Sequence, residues 1–489
     1  MRAVAVGLTA LSALVLAGPA AAAPRRHAVH HAPAAKPASA ATTLYIQGGG
    51  YGHGIGMSQY GAYGYALHGW TYQQILGHYY TGTQLGTTNP NQTVRVLLSS
   101  GPAAFAGATQ IGHKKINPSL TYDVTPLANG QLAVVNQTTH KRVGKFDSPL
   151  TATGSEPLSL AGQGTYRGSL EFRPNGSGGI YTVNVVGLDD YVQGVIGAEM
   201  PANWAQQALD AQAVAARTYA ITTDVDGGFF NLYPDTRSQM YRGVAAETPS
   251  TLAAVAATAG QIVTYNGAPA VTYFFSSSGG YTENIQDAWP GATAEPWLVG
   301  VPDPYDGAGG DPYHHWTRQL SLSAATKDLG PLVKGKLISI QVTQTGASPR
   351  IMKAKVIGTG GTSTATGAQL ESAFGLLSTW ASFTTISSTA GTAPAAANVA
   401  HEVSDLGVIG QLKRAFAIAG ETVPVFAGRV QPGAQGGHAT IEVRRAHGGW
   451  RKTATIRLGK GGAFAVKVAG PGEYRTVYHG LDGPSVPVP

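Results

Sequence analysis

LDDYVQGVIGAEMPANW at residues 188–204, followed by AQAVAARTYA at 211–220, is the stretch on which the reading turns. Ala, Gln and Leu favour helix, and Pro201 suits a first helical turn, where a missing N–H costs nothing, so a helix is predicted over about 203–222. Glu199 then stands just before that helix. Two roles are open to it: complementing a positive helix end, or transferring a proton. A helix N-terminus lowers a carboxyl's pKa, so an acid role requires burial among residues such as Met200 and Trp204 to outweigh the dipole.

Outward from this segment, Val94–Ser99, Leu132–Asn136, Thr182–Val186, Val271–Phe275, Leu337–Gln344 and Ala354–Ile357 read as strands bounded by turn residues. Tyr72–Tyr80 and Pro249–Ala259 read as further helices. The expectation is an α+β, β-rich body over residues 42–386. An Ala-rich linker with Pro394 follows at 387–400. Residues 401–489 alternate apolar and polar over Ala439–Arg445 and Ala463–Val468, with Trp450–Leu458 and Tyr474–His479 set off by Gly-Gly and Pro-Gly turns. That pattern predicts an all-β, immunoglobulin-like sandwich. At the other end, Arg2, the apolar stretch Val4–Ala17 and the small residues after Gly18 read as a secretory signal over 1–23, and the Ala/Pro-rich 24–41 as a flexible tether.

Charged residues are 12% of the 489, too few for a charge-rich disordered chain or a coiled coil. Cysteine is absent, which excludes disulfides, thiol nucleophiles, thiolate zinc sites and iron–sulfur clusters. Of the net +7, Arg2 goes with the signal and Arg25, Arg26 and Lys36 put +3 on the tether. Residues 401–489 hold 11 Lys/Arg against 6 Asp/Glu, or +5, leaving about −2 on the body. Basic ends of this kind attract polyanions. In an exported chain without a later apolar run long enough to span a bilayer, the basic ends point to anionic wall polymers or lipid head groups rather than nucleic acid, with wall polymers the expected partner of the C-terminal module.

Three more strings carry polar side chains beside glycine or aromatics: GGGYGHGIGMSQYGA (48–62), SQMYRG (238–243) and FFSSSGGYTE (274–283). The first places His53, Ser58 and Gln59 on a glycine-rich loop, yet it fits neither a dinucleotide fingerprint, nor a phosphate loop, nor a nucleophile elbow. Hydroxyls and amides next to aromatic rings suit a sugar, whose rim needs hydrogen bonds and whose faces need apolar cover. The first string, and Ser-Ser-Ser-Gly-Gly in the third, also read as structural turns. His314-His315 reads as a solvated or hydrogen-bonded pair, and neither metal nor cofactor is expected.

Together GHGIGMSQYGA, DDYVQGVIGAEMPANW, QALDAQAVAARTYA, SQMYRG and SSSGGYTENIQDAW resemble the stage II sporulation protein D family, which includes amidase enhancers, over most of residues 42–386. In typical members the glycine–histidine loop comes last. Here it comes first, which looks like a circular permutation that brings residues 44–86 back beside Trp380. Glu371 stands where Arg would be expected, and the cysteine zinc site of some members cannot form.

The resemblance implies a secreted, wall-associated lytic transglycosylase acting on peptidoglycan glycan strands, preferably those stripped of stem peptides. Glu199 would be its one acid and base, closing a 1,6-anhydro ring. His53, Ser58, Gln59, Arg217, Gln239, Tyr241 and Ser278 would hold the strand. Asp190 or Glu283 close to Glu199 would instead suit a retaining hydrolase with two carboxylates. A noncatalytic enhancer of a wall amidase and a glycan-binding wall protein are the rival implications.

Overall fold

The computed structural model describes residues 40–394, 422–432, 436–446 and 448–488. The expected signal, most of the tether, the second half of the linker and the first 21 residues of the C-terminal module lie outside the described residues.

Strand β1 (Ala40–Gly48) shows how one sequence serves two cores. Successive side chains on a strand point to opposite faces. Leu44 and Ile46 enter a core with Leu337, Ile340, Val356, Leu370, Phe374 and Phe383, whereas Tyr45 enters another with Ile386, Phe426, Phe464 and Tyr474. Along its edges β1 pairs antiparallel with Trp316–Ser321 on one side and with Ala381–Pro394 on the other.

From β1 the chain passes through the glycine loop to strand β2 (Met57–Ser58), which pairs in parallel with Phe274–Phe275. Ser58 accepts the Gly61 N–H and so caps helix α1 (Gln59–Leu67). Helix α2 (Tyr72–Tyr79) starts at a capping box formed by Thr71 and Gln74. Residues 93–187 build two six-stranded sheets. One runs Thr93–Gly101, Ile180–Gly187, Ser169–Pro174, Leu150–Thr153, and the second is centred on Tyr122–Pro126 and Ala103–Ala106.

Strand Ile180–Gly187 leads directly into helix α3 (Leu188–Glu199), and after a turn comes α4 (Gln206–Thr222). Every residue of α4 from Ala208 to Ala220 is buried. A helix apolar almost all round belongs in the middle of a core. Here α1, α2, α3 and α5 (Pro249–Ala257) pack around it. The fold is α+β and β-rich, as the sequence predicts.

Three local expectations change. The single helix predicted over 203–222 is preceded by a separate helix, and Glu199 ends that one instead of preceding the next. The strand predicted at Val271–Phe275 shortens to Phe274–Phe275. Residues 387–394, expected as linker, continue the strand Ala381–Pro394, because it is hydrogen-bonded on both edges, to β1 and to Thr422–Gln431. Its alternation buries Ile386, Ser388 and Ala390.

The C-terminal strands Thr422–Gln431 and Ala463–Lys467 therefore extend the sheet that contains β1. A second sheet, with His438–Arg444 between Arg451–Arg457 and Gly472–Tyr478, covers one face of it around Phe426, Ile441 and Tyr474. No helix among the described residues is long and apolar enough to cross a membrane.

Candidate active site

Glu199 is the last residue of α3, and Met200 leaves the helix in an extended conformation with its N–H on Ile196. Burial raises the Glu199 pKa. A helix C-terminus carries the negative end of the dipole, so the backbone field does not oppose that rise as a helix N-terminus would. Two donors resist that rise: the Met240 N–H at 2.6 Å from one carboxylate oxygen and the Gln59 side-chain amide at 3.2 Å from the other. The net direction is upward. Glu199 keeps part of its surface exposed, so it can meet a ligand.

The segment SQMYRG supplies the Met240 donor because its neighbours are anchored inward. Gln239 donates to Tyr191 Oη (3.2 Å) and the Ala216 carbonyl (3.3 Å), Tyr241 donates to Asn184 (2.7 Å), and Arg242 N–H bonds the Gly194 carbonyl. Both side chains are buried. Gln239 and Tyr241, expected to hold substrate, instead aim a backbone donor at Glu199.

Arg217 is likewise buried. Its Nε donates to Asp189 at 2.6 Å and its Nη1 to the Gln261 carbonyl at 3.1 Å, tying α4 to the first turn of α3. Its place is in the scaffold that joins the two helices.

The glycine loop reaches the acid through Gln59, which the sequence singles out and the fold delivers from a segment 140 residues away. Ser58, just before it, is fully buried and donates to Asp306 at 2.7 Å. His53 sits farther back. Its Nδ1 accepts the Ile55 N–H at 3.0 Å, which leaves Nε2 as the donor to the Phe274 carbonyl at 3.1 Å. Burial, with Arg350 adding to it, pushes the His53 pKa down to about 4, so the ring is neutral among Phe275, Trp289 and Tyr273. It bonds neither Glu199 nor its two donors.

Under the loop lies Arg350, fully buried, with its guanidinium near the Gly52 and Ser278 carbonyls, both at 3.4 Å. At Gly54, where φ is +88°, a Cβ would stand 2.3 Å from Arg350 Nε, so only glycine lets the loop lie on the arginine. Gly61 in α1 is equally constrained: a Cβ there would meet Tyr79 Oη at 2.1 Å and an Asp303 oxygen at 2.2 Å. Glu371, which replaces an expected Arg, is half-buried and feels the Arg350 charge.

Asp306 joins these pieces, and sequence reading missed it. Its two oxygens accept from Ser58 Oγ, Ser277 Oγ (3.0 Å), the N–H groups of Ser278 and Gly279 (2.9 Å each) and His314 Nδ1 (2.9 Å). Burial alone would raise its pKa. The donors, His314 first, outweigh burial and hold it below the usual carboxylate range. The only signal in the sequence is the run DPYDGAGGDPYHHW at 303–316, with three Asp beside turn residues.

Ser278, expected at the substrate, is buried here with its hydroxyl accepting the Gly280 N–H. The ligand atoms of Asp306, Asp311 and His314 lie within 4.8 Å of one another, close enough for a cation. The Asp306 oxygens and His314 Nδ1 are, however, already spent on the bonds just described, so the trio reads as a hydrogen-bonded knot. Glu283 is also committed: it accepts from the N–H groups of Asn284, Ala347 and Ser348 and from Ser348 Oγ. Asp190 is half-buried beside the Arg167–Glu247 pair. Neither bonds Glu199.

The sequence profile of the family described as Stage II sporulation protein matches residues 176–265, a segment that contains α3, Glu199, α4 and Met240. Over that segment the chain is similar to the stage II sporulation protein D family. It is 32% identical over 206 residues to stage II sporulation protein D of Bacillus subtilis strain 168, an alignment covering 39% of this chain and 59% of that protein. The protein of the same name from Bacillus amyloliquefaciens is 33% identical over 181 residues, covering 33% and 51%. An amidase enhancer of B. subtilis is 38% identical over 130 residues, covering 27% of this chain and 17% of the enhancer. The chain thus spans 59% or less of each of these relatives. Gln59 and Asp306 lie outside the segment matched by the sporulation-protein profile, so two parts of the site come from elsewhere in the chain.

A raised carboxyl pKa has a consequence for stability. A folded state that holds the proton more tightly than the unfolded chain loses stability as pH rises from the unfolded value, near 4.5, through the folded one. Gln cannot ionise. Glu199→Gln is therefore expected to melt above the parent at neutral pH, with the two curves converging below pH 4.5, in thermal scans at both pH values. A variant less stable than the parent at neutral pH would mean that the Glu199 charge supports the fold.

Proposed function

We propose that the chain is an exported, wall-associated lytic transglycosylase that cleaves peptidoglycan glycan strands with Glu199 as its only acid and base. The observation that carries the reading is a partly exposed carboxyl with a raised pKa, held at both oxygens by donors from distant segments. The neutral acid would give its proton to the glycosidic oxygen as the C1–O bond breaks. The resulting carboxylate, supported by Met240 N–H and Gln59, would then take the proton from the C6 hydroxyl as O6 bonds C1 and closes the 1,6-anhydro ring. No water is consumed, and the nucleophile already belongs to the substrate, which gives it a high effective concentration. Glu283 is engaged elsewhere and Asp190 lies at the other end of α3, which favours this over a mechanism with two carboxylates.

The proposal includes a circular permutation of the family domain. In its support, Gly49 N–H bonds the Trp380 carbonyl, Ser378 Oγ donates to the Gly49 carbonyl at 2.7 Å, and β1 pairs with Ala381–Pro394.

The relative named amidase enhancer favours a second reading, in which the chain stimulates a wall amidase without cutting glycan. Whole sacculi digested by an amidase separate the two. If turnover matters, Glu199→Gln loses the stimulation. If the chain only positions its partner, Glu199→Gln stimulates as the parent does.

Attachment to anionic wall polymers is assigned to the C-terminal sheet, where Arg444, Arg451, Lys452 and Arg457 are exposed. Cutting the chain near Ser387 would divide a strand and uncover Tyr45 and Ile386, so substitution is the better test. Replacing Arg451, Lys452 and Arg457 by Gln is expected to weaken retention on walls that carry teichoic acid and to flatten its fall with salt. Exposed charges lose their reach beyond about 8 Å at 0.15 M. Turnover of soluble glycan should be unchanged, and equal, salt-insensitive retention would refute the assignment.

A further inference from the structure

Five aromatic side chains form a continuous strip beside the segments that carry Gln59 and Glu199. Tyr51 and Tyr313 are in edge contact at 5.0 Å between ring centroids, Tyr313 and Tyr60 at 6.2 Å, Tyr60 and Trp204 at 4.8 Å, and Tyr63 stacks on Trp204 at 4.6 Å with planes 6° apart. The strip touches the acid's surroundings at its middle. Tyr60 follows Gln59, whose amide bonds Glu199, and Trp204 lies on the turn that leaves α3, its N–H on the Pro201 carbonyl.

These rings differ from the tyrosines of the core. Tyr80, Tyr191 and Tyr241 are buried, and their hydroxyls are bonded to Tyr273, Gln239 and Asn184. In the strip Tyr51 is 43% exposed and the other four rings are half-buried. Among the described residues, the hydroxyls of Tyr51, Tyr60, Tyr63 and Tyr313 and the indole N–H of Trp204 have no hydrogen-bond partner. A packing role alone would bury such groups or satisfy them. An apolar face edged by free donors and acceptors instead matches a sugar ring, which presents C–H faces and a rim of hydroxyls.

We propose that this strip is a multi-sugar subsite that binds a glycan strand along several residues beside the bond to be cleaved. The proposal rests on the transglycosylase reading of Glu199. Contacts to sugars remote from the reacting bond fix the strand's register against the acid, and they grow with strand length.

The test uses the full chain carrying Glu199→Gln, so that nothing is cut, and chitin oligosaccharides of two, four and six sugars as the probe in calorimetry. Affinity is expected to climb from the dimer to the hexamer. Trp204→Ala and Tyr63→Ala in that background should each weaken the hexamer roughly tenfold, with little change for the dimer. Because Trp204→Ala could perturb the turn after α3, Tyr51→Ala, at the exposed rim, is the second variant, and it too should weaken only the longer probes. Equal affinity at all lengths, or folded variants that bind the hexamer as the parent does, would overturn the subsite. Product analysis of the chain with Glu199 intact keeps the two claims apart. Length-dependent binding without anhydro products would leave the strip standing and remove the chemistry, and anhydro products with length-independent binding would do the reverse.

Discussion

Glu199→Gln is expected to fold, to bind glycan, and to cleave it at least about 10²-fold and up to about 10⁴-fold more slowly than the parent. The amide keeps an oxygen for the Met240 N–H at 2.6 Å, so the end of α3 should hold its place. What it lacks is the proton, and afterwards the charge that recovers one. Because a single group serves both steps, no neighbour stands ready to substitute: Glu283 bonds other partners, and Asp190 lies in the first turn of α3, at the opposite end of the helix from Glu199. Initial rates on purified glycan measure the effect. Turnover within about twofold of the parent, when general acid–base help is typically worth orders of magnitude, would remove Glu199 from the chemistry.

Asp306→Ala is the second large effect, and it acts on stability. Removal of this buried carboxylate strands the Ser278 and Gly279 N–H groups and takes the acceptor from the Ser58 hydroxyl and His314 Nδ1, while Ser277 Oγ keeps Asp311. Breaking a buried, charge-assisted set from one side costs about 3–5 kcal/mol, read as a shift in the urea midpoint. Ser58 precedes Gln59, so the loop should loosen at the acid as well. The sign with pH follows from the depressed pKa of Asp306. Its contribution is full above the unfolded carboxylate value and disappears as pH falls through the folded one, so the gap between parent and variant should close in acid. A midpoint unchanged at neutral pH would mean that the five bonds contribute nothing net.

The SQMYRG and AQAVAARTYA strings announce themselves as unusual, but a polar side chain in a motif reads alike whether it faces a ligand or the core. Gln239, Tyr241 and Arg217 face the core and bond neighbours there, although Gln239 Oε1 and Arg217 Nη2 find no partner among the described residues. The position of Glu199 was legible, while the sign of its helix field was not. Pro201 reads as the start of a helix, yet the chain spends residues 200–205 on a turn, and the acid ends up on the preceding helix. Ser387–Pro394 has the composition of a linker and becomes a strand because two partners, one of them far away in sequence, pair with its edges. The Asp306 knot draws on residues 58, 277–279 and 314, a convergence that no local pattern encodes.

The most direct test of the central claim is mass spectrometry of the products formed when the purified chain digests glycan strands freed of peptides. Fragments ending in 1,6-anhydro-muramic acid, equal in mass to the hydrolytic product less one water, are expected, and they should disappear with Glu199→Gln. Fragments with ordinary reducing ends, or intact strands alongside a stimulated amidase, would rule out a lytic transglycosylase.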